Sequence, residues 1–234
     1  MPGIVLERVT IAGPRRLDGE LSYPGDIEPH GSALLINPHP YMGGSMSNNV
    51  IQRLHTRLAQ NGLVCLRFDY GGVAASEGPA IDVAASMGAF WQTGRAPIDP
   101  LLIEDAAIAL EWLRERTRTT GAPALVGYSF GAHVAVRVLP SDARAIVLIS
   151  PTVIHHCFDV GFSRGVPTLV ISCDNDFATP AERHEQWLAQ VSHDVTAHCC
   201  FAGAQHFFME MEDELAHRIT SFVNQAIALA RGLG

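Results

Sequence analysis

Charged side chains are scarce in this chain. Asp, Glu, Lys and Arg make up 17% of its 234 residues, too few for a disordered protein and in keeping with a well-filled core. No basic run occurs and the formal net charge is −8. Neither nucleic acid nor an anionic membrane surface is therefore expected as a partner, since both reward clustered Lys and Arg. No apolar run approaches the length that spans a bilayer. The opening MPGIVLERVTIAG lacks a basic segment followed by an apolar one, so no secretory signal is expected. Cysteines are few and odd in number: Cys65, Cys157, Cys173, Cys199 and Cys200. No C-x-x-C spacing is present, which argues against a disulfide framework or a zinc site and for reduced thiols in the cytoplasm. Cys65 and Cys173 fall in apolar runs and are expected to be buried. Cys199 and Cys200, neighbours in a strand, should be one buried and one exposed.

Apolar residues, in contrast, make up 47% of the chain, and the length suits one domain spanning 1–234. Short β-rich runs alternate with helical patterns, which predicts an α/β fold with a mostly parallel sheet and helices on both faces. GIVLERVTIAG and GELSYPG read as antiparallel strands, and SALLI and LVCLRFDY as buried central ones. Residues 48–60 carry Val50, Ile51, Leu54 and Leu58 on one helical face. Residues 71–98 are rich in Gly, Ala and Ser and read mainly as irregular structure. A helix follows with Asp99 as N-cap and Pro100 in its first turn. AIVLISP and PTLVISCD are further buried strands, and Thr179-Pro180-Ala181-Glu182 reads as a capping box. TAHCCFA is the last strand, and residues 210–231 the last helix.

The segment ALVGYSFGAHVAV, residues 124–136, is a buried strand, an abrupt break and a helix. Gly127-Tyr128-Ser129-Phe130-Gly131 is the G-x-S-x-G pattern, in which small residues let strand reverse into helix and leave the serine at the apex. A serine hydroxyl attacks carbonyls only when a base takes its proton and an acid orients that base. Asp174 and Asp176 follow the strand TLVIS at its C-terminal end, where open parallel sheets build their sites. His206 lies between the last strand and the last helix.

In NPHPYMGGSMSNNV, LRFDYGGVAASEG, VGYSFGA, CDNDFATP and GAQHFF, and in their order, the chain resembles the α/β-hydrolases over nearly its whole length. It is most similar to their small, lid-poor bacterial serine hydrolases, the dienelactone-hydrolase-like and CocE-like group. The resemblance implies an α/β-hydrolase fold with a minimal lid, and a Ser-Asp/Glu-His triad in that chain order. Carried onto this sequence, Ser129 is the nucleophile, His206 the general base and acid, and Asp176 the orienting acid, with Asp174 as the alternative. The acid left over is expected to cap its own loop. The oxyanion hole would be the backbone N–H of Phe130 together with that of Tyr41, or of Met42 in its place. Dienelactone hydrolases proper use cysteine where this chain has Ser129, and dehalogenases use aspartate.

Candidate pocket residues are His39, Met42, His155 and Trp91. His39 is expected to brace the oxyanion loop by hydrogen bonds. His155-His156 lacks partners at zinc-like spacing, so the pair is not read as a metal site; the short crossover that carries it, residues 152–166, is expected to overhang the serine, with one of the two histidines lining the pocket. His133, one turn beyond Ser129, is read as structural. Residues 78–98 are longer than the resemblance leads one to expect, a loop insertion whose Met87, Phe90 and Trp91 could cover the site. No cofactor and no metal are expected. The function so implied is hydrolysis of a small or medium carboxylic ester through an acyl-enzyme (EC 3.1). The alternatives are an acyl thioesterase acting on coenzyme A or carrier thioesters, and a protein of this fold with no hydrolytic activity. The sequence leaves peptidase activity and oligomeric state open.

Overall fold

The structure is a computed structural model, described here for residues 3–93 and 96–232. Eight strands form one sheet: β1 (Ile4–Ile11), β2 (Leu17–Pro24), β3 (Gly31–Ile36), β4 (Leu63–Phe68), β5 (Ala124–Tyr128), β6 (Ile146–Ile149), β7 (Thr168–Asn175) and β8 (Ala197–Gln205). Their spatial order is β1-β2-β4-β3-β5-β6-β7-β8. β1 pairs with β2, and β2 with β4, antiparallel; every later pairing is parallel. This is the architecture that the resemblance implies.

The helices are α1 (Asn49–Gln60), α2 (Val83–Thr93), α3 (Asp99–Arg116), α4 (Phe130–Val138), α5 (Ala181–Gln190) and α6 (Glu212–Ala230). Successive strand side chains point to opposite faces of a sheet, and here each face meets its own helices. Leu34 and Ile36 of β3 pack with Leu102 and Leu113 of α3 and Val134 of α4. Ala33 and Leu35 pack on the other side with Leu54 and Leu58 of α1 and Ile219 and Val223 of α6. These side chains are all fully buried, and burying each contributes about 1.5–3 kcal/mol for the Leu and Ile residues. The continuous apolar runs in the central strands reflect this double burial.

Three local readings are corrected. Residues 71–98 are not mainly irregular: α2 occupies Val83–Thr93, while positions 94 and 95 of that segment lie outside the described residues. Its composition hid the helix because none of its side chains is buried, leaving no apolar stripe to read. Asp99 does not cap α3. Ile98 holds the cap position and makes no side-chain bond, while the carboxylate of Asp99 turns to His39 at 2.9 Å. Thr179 opens no capping box; its hydroxyl donates to the Pro151 carbonyl at 3.0 Å, and α5 begins after Pro180 without a side-chain cap.

All five cysteines are free, with Cys65 and Cys173 buried. Cys200 is exposed but Cys199 only half-buried, because β8 is the last strand in the sheet order and has a neighbour on one side alone. The crossover between β6 and β7 carries turns and no helix, so nothing the size of a helical lid stands there. Among the described residues no helix is long and apolar enough to cross a membrane.

Candidate active site

Ser129 sits at the C-terminal end of β5, between strand and α4, with φ 57° and ψ −119°. A non-glycine residue in such a conformation costs about 1–3 kcal/mol and persists only where its surroundings enforce it. Two glycines do so here. A Cβ at Gly127 would lie 2.1 Å from the Gly131 carbonyl oxygen, and one at Gly131 would lie 2.2 Å from that of Ile36. Without side chains at both positions, α4 can start tight against β5 and β3, and the elbow projects Ser129 from the sheet edge.

His206 follows β8 directly, and its carbonyl accepts a 2.6 Å hydrogen bond from the Tyr128 hydroxyl. The residue before the elbow serine thus fixes the loop of the histidine. Its ring Nε2 is 3.0 Å from Ser129 Oγ, and its Nδ1 is 2.8 and 2.9 Å from the two carboxylate oxygens of Asp176. Since an ionised carboxylate only accepts, Nδ1 carries the ring proton and Nε2 offers its lone pair to the hydroxyl. All three side chains are buried.

Asp176 Oδ1 also accepts from the N–H groups of Ala178 and Thr179 at 2.7 and 3.2 Å. Burial alone would raise its pKa, but the hydrogen bond and charge of His206 and the two backbone donors outweigh it, and the carboxyl lies below its ordinary value. Asp174, the alternative acid, is exposed and accepts from Gly203 N–H at 2.8 and 3.0 Å. It does not cap its own loop as expected: Gly203 belongs to β8, the only other donor to the carboxylate among the described residues is the Asn175 side-chain amide at 3.2 Å, and no bond reaches His206.

The second half of the anticipated oxyanion hole is corrected. Phe130 lines the cavity, and as the first residue of α4 its N–H has no acceptor within the helix. Tyr41 N–H, however, donates to His39 Nδ1 at 3.0 Å, and Met42 N–H donates to the His39 carbonyl at 2.9 Å. Tyr41 does not line the cavity. The cause is local: Pro40–Met42 is a 3₁₀ turn capped by the His39 side chain, so the amides that would face a substrate are held inside the turn.

A cavity of about 270 Å³ opens over Ser129. His39, Met42, Gly43 and Gly44 form one wall, Thr152, His155 and His156 another, and Met87, Phe90 and Trp91 of α2 a third. The candidate pocket residues His39, Met42, His155 and Trp91 therefore all border it. His156 joins them, its Nδ1 2.8 Å from Thr152 Oγ1. The Phe90 and His155 rings lie 5.6 Å apart, bringing α2 onto the crossover. His133 stays behind, its ring 4.8 Å from that of His156, and burial pushes its pKa down to about 4. Among the described residues no Asp, Glu, Lys or Arg lines the cavity, and no group of three or more His, Cys, Asp or Glu could hold a metal ion.

The family model of the X-Pro dipeptidyl-peptidases (S15 family) matches residues 15–214. The chain belongs to the S15 family. A curated relative of this S15 member, an uncharacterized protein of Rickettsia prowazekii (strain Madrid E), is 26% identical over 200 residues, covering 82% of this chain and 77% of its own length. The structure of an α/β serine hydrolase homologue from Coxiella burnetii matches with 27% identity and TM-score 0.75, over 92% of this chain and 96% of that one. A serine hydrolase without a lid from Xanthomonas campestris shares the fold at TM-score 0.76 and 23% identity, over 94% of both chains. The S15 member is thus an α/β-hydrolase-fold protein of the serine hydrolase class.

Sequence reasoning passed over two residues that shape this site. Tyr128 occupies an unspecified position of the G-x-S-x-G pattern, which carries no signal for the bond it makes. Asp99 carries the sign of a helix cap, since Asp before Pro gives that signal whether or not the carboxylate is used for it.

Proposed function

We propose that the protein hydrolyses a small or medium, uncharged carboxylic ester through an acyl-enzyme. The observation that carries this reading is the continuous Asp176–His206–Ser129 hydrogen-bonded chain, at 2.8 and 3.0 Å, ending at an apolar cavity. In this reading Ser129 Oγ attacks the acyl carbon while its proton passes to His206 Nε2. Asp176 holds the ring and stabilises the imidazolium. The developing oxyanion is met by Phe130 N–H. Collapse breaks the acyl C–O bond, and Nε2–H protonates the departing alkoxide. A water then attacks the acyl carbon and gives its proton to Nε2. The acid leaves as Ser129 Oγ takes the proton back.

About 270 Å³ corresponds to roughly nine water volumes, room for a short acyl or aryl group. The five free thiols suit a reducing compartment such as the cytoplasm. The family match favours a second reading, hydrolysis of an X-Pro peptide. A peptide with a free N-terminus brings an ammonium group, and none of the described residues lining the cavity offers a carboxylate to it; the ester reading is preferred for that reason. Neither does a Lys or Arg among them suit the phosphates of a coenzyme A thioester.

Fluorophosphonate labelling followed by peptide mapping tests the nucleophile, and modification is expected at Ser129. Turnover of p-nitrophenyl acetate and butyrate, with none of an X-Pro p-nitroanilide or acetyl-coenzyme A, is the expected substrate pattern. Labelling at another residue, or none, would refute the mechanism; hydrolysis of the anilide alone would favour the peptidase.

A further inference from the structure

Asp99, like Asp176, touches the cavity walls from behind without lining them, but it holds two walls at once and no group of the serine–histidine chain. Its Oδ1 is 2.9 Å from His39 Nε2 on the turn 39–44, and its Oδ2 is 3.7 Å from His156 Nε2 on the crossover. It is also the first residue of α3, a few positions beyond α2, which supplies the third wall. Three segments far apart in sequence thus converge on one half-buried side chain.

The ring of His39 shows what this anchor does. Tyr41 N–H must donate, so Nδ1 is the acceptor and Nε2 carries the proton that is given to Asp99. A carboxylate at Nε2 therefore fixes the tautomer that caps the turn. The same ring stands edge-on to the Phe130 ring at a centroid distance of 4.5 Å, beside the residue whose amide would meet the oxyanion. Burial works against ionisation of Asp99, but the attraction of His156 and His39 prevails and lowers its pKa to about 2, so it stays charged throughout the neutral range.

We propose that Asp99 is a positioning residue which, by orienting His39, sets the turn 39–44 against the elbow and thereby governs the rate of acyl transfer without touching substrate. This rests on the ester-hydrolase reading of the same site. A group that acts only on geometry in the transition state changes kcat and leaves substrate binding largely alone.

The test compares Asp99→Leu, nearly isosteric but unable to accept a hydrogen bond, with Asp99→Asn, which keeps an acceptor. Purified full-length protein is assayed with p-nitrophenyl butyrate and, separately, for its rate of fluorophosphonate labelling. Asp99→Leu is expected to lower kcat about tenfold or more with KM within about threefold, and to slow labelling in parallel. Asp99→Asn is expected to recover most of the loss. His39→Phe should match Asp99→Leu, and the double variant should be no worse than His39→Phe alone, because the two act in series.

A wild-type kcat in Asp99→Leu, a loss confined to KM, or additive losses in the double variant would overturn the proposal. Should Asp99→Leu fail to fold, His39→Asn and His39→Phe take its place. Asn can still accept the Tyr41 N–H as a cap and should lose less; equal losses overturn the proposal too. Wild-type protein that neither labels nor cleaves esters would refute the hydrolase reading itself, whereas a labelled wild type with indifferent variants would refute only this inference.

Discussion

Asp176 and Asp99 each hold a cavity-lining histidine, at 2.8 and 2.9 Å. In both pairs the carboxylate fixes the ring tautomer, and both carboxyls lie below their ordinary pKa. What differs is the other ring nitrogen. That of His206 meets the Ser129 hydroxyl, a group that can surrender its proton, and that of His39 meets the Tyr41 amide, which cannot. The carboxylates also differ in their fixing. Two backbone N–H groups clamp Asp176, whereas Asp99 has imidazoles alone on both oxygens. An Asp–His pair is thus made reactive or structural by its third member, and composition cannot distinguish the two.

The sharpest way to break this comparison is to remove the third member. Ser129→Ala and His206→Gln should each lower kcat for p-nitrophenyl butyrate by about 10⁴- to 10⁶-fold, with unfolding curves unchanged in midpoint by more than a few degrees. A residual rate near that of wild type would place the nucleophile elsewhere.

Swapping carboxylate for amide separates the pairs next. Asp176→Asn leaves His206 the wrong tautomer and should cost about 10³- to 10⁴-fold in kcat. The same change at Asp99 should cost less than about threefold, since only an acceptor is needed there. Equal losses in steady-state assays would make the two pairs equivalent.

Trp91 sharpens the contrast between wall and machinery. Its side chain is 60% exposed at the cavity rim, so Trp91→Ala should raise KM about three- to tenfold while kcat moves by less than about twofold. A collapse of kcat would give α2 a part in the chemistry.

The smallest effect concerns histidines without a carboxylate. Burial lowers the pKa of His184 to about 4, and its Nε2 has no hydrogen-bond partner among the described residues. The folded state then binds fewer protons than the unfolded one between pH 6.5 and about 4. The associated stability is complete above that window and is lost as pH falls through it. His184→Phe should flatten this acid limb by on the order of 1–2 kcal/mol in urea melts, and an unchanged slope would show that the imidazole titrates freely when folded.

The sheet and most helices were legible because their signals are local. The central strands carry unbroken apolar runs at Ala33–Ile36, Leu63–Leu66, Ala124–Val126, Ile146–Ile149 and Leu169–Ile171, and α1 carries a clear apolar stripe closed by Asn61 and Gly62. α2 was not legible, since a helix lying over a cavity mouth and exposing most of its surface has no periodic core face to reveal it. Its Met87, Phe90 and Trp91 mark a segment that could cover the site, but three apolar residues in a polar stretch carry no sign of a helix. Similarly, Asp before Pro at 99–100 gave the sign of a cap, and only the nearness of His39, sixty residues earlier, drew the carboxylate elsewhere.

The order of motifs along the chain determined which serine, histidine and pair of aspartates were candidates, because the backbone chemistry of the elbow is written in Gly127 and Gly131. The chain order could not decide between Asp174 and Asp176, two residues apart and equally able to ionise. Position in space did: one carboxylate turns outward to Gly203 and the other inward to His206. The same holds for the Tyr41 amide, whose engagement by His39 follows from where the ring settles against Phe130 and Asp99. Short-range sterics are encoded residue by residue, whereas the partner of a buried polar group is fixed only once the packed chain has brought distant segments together.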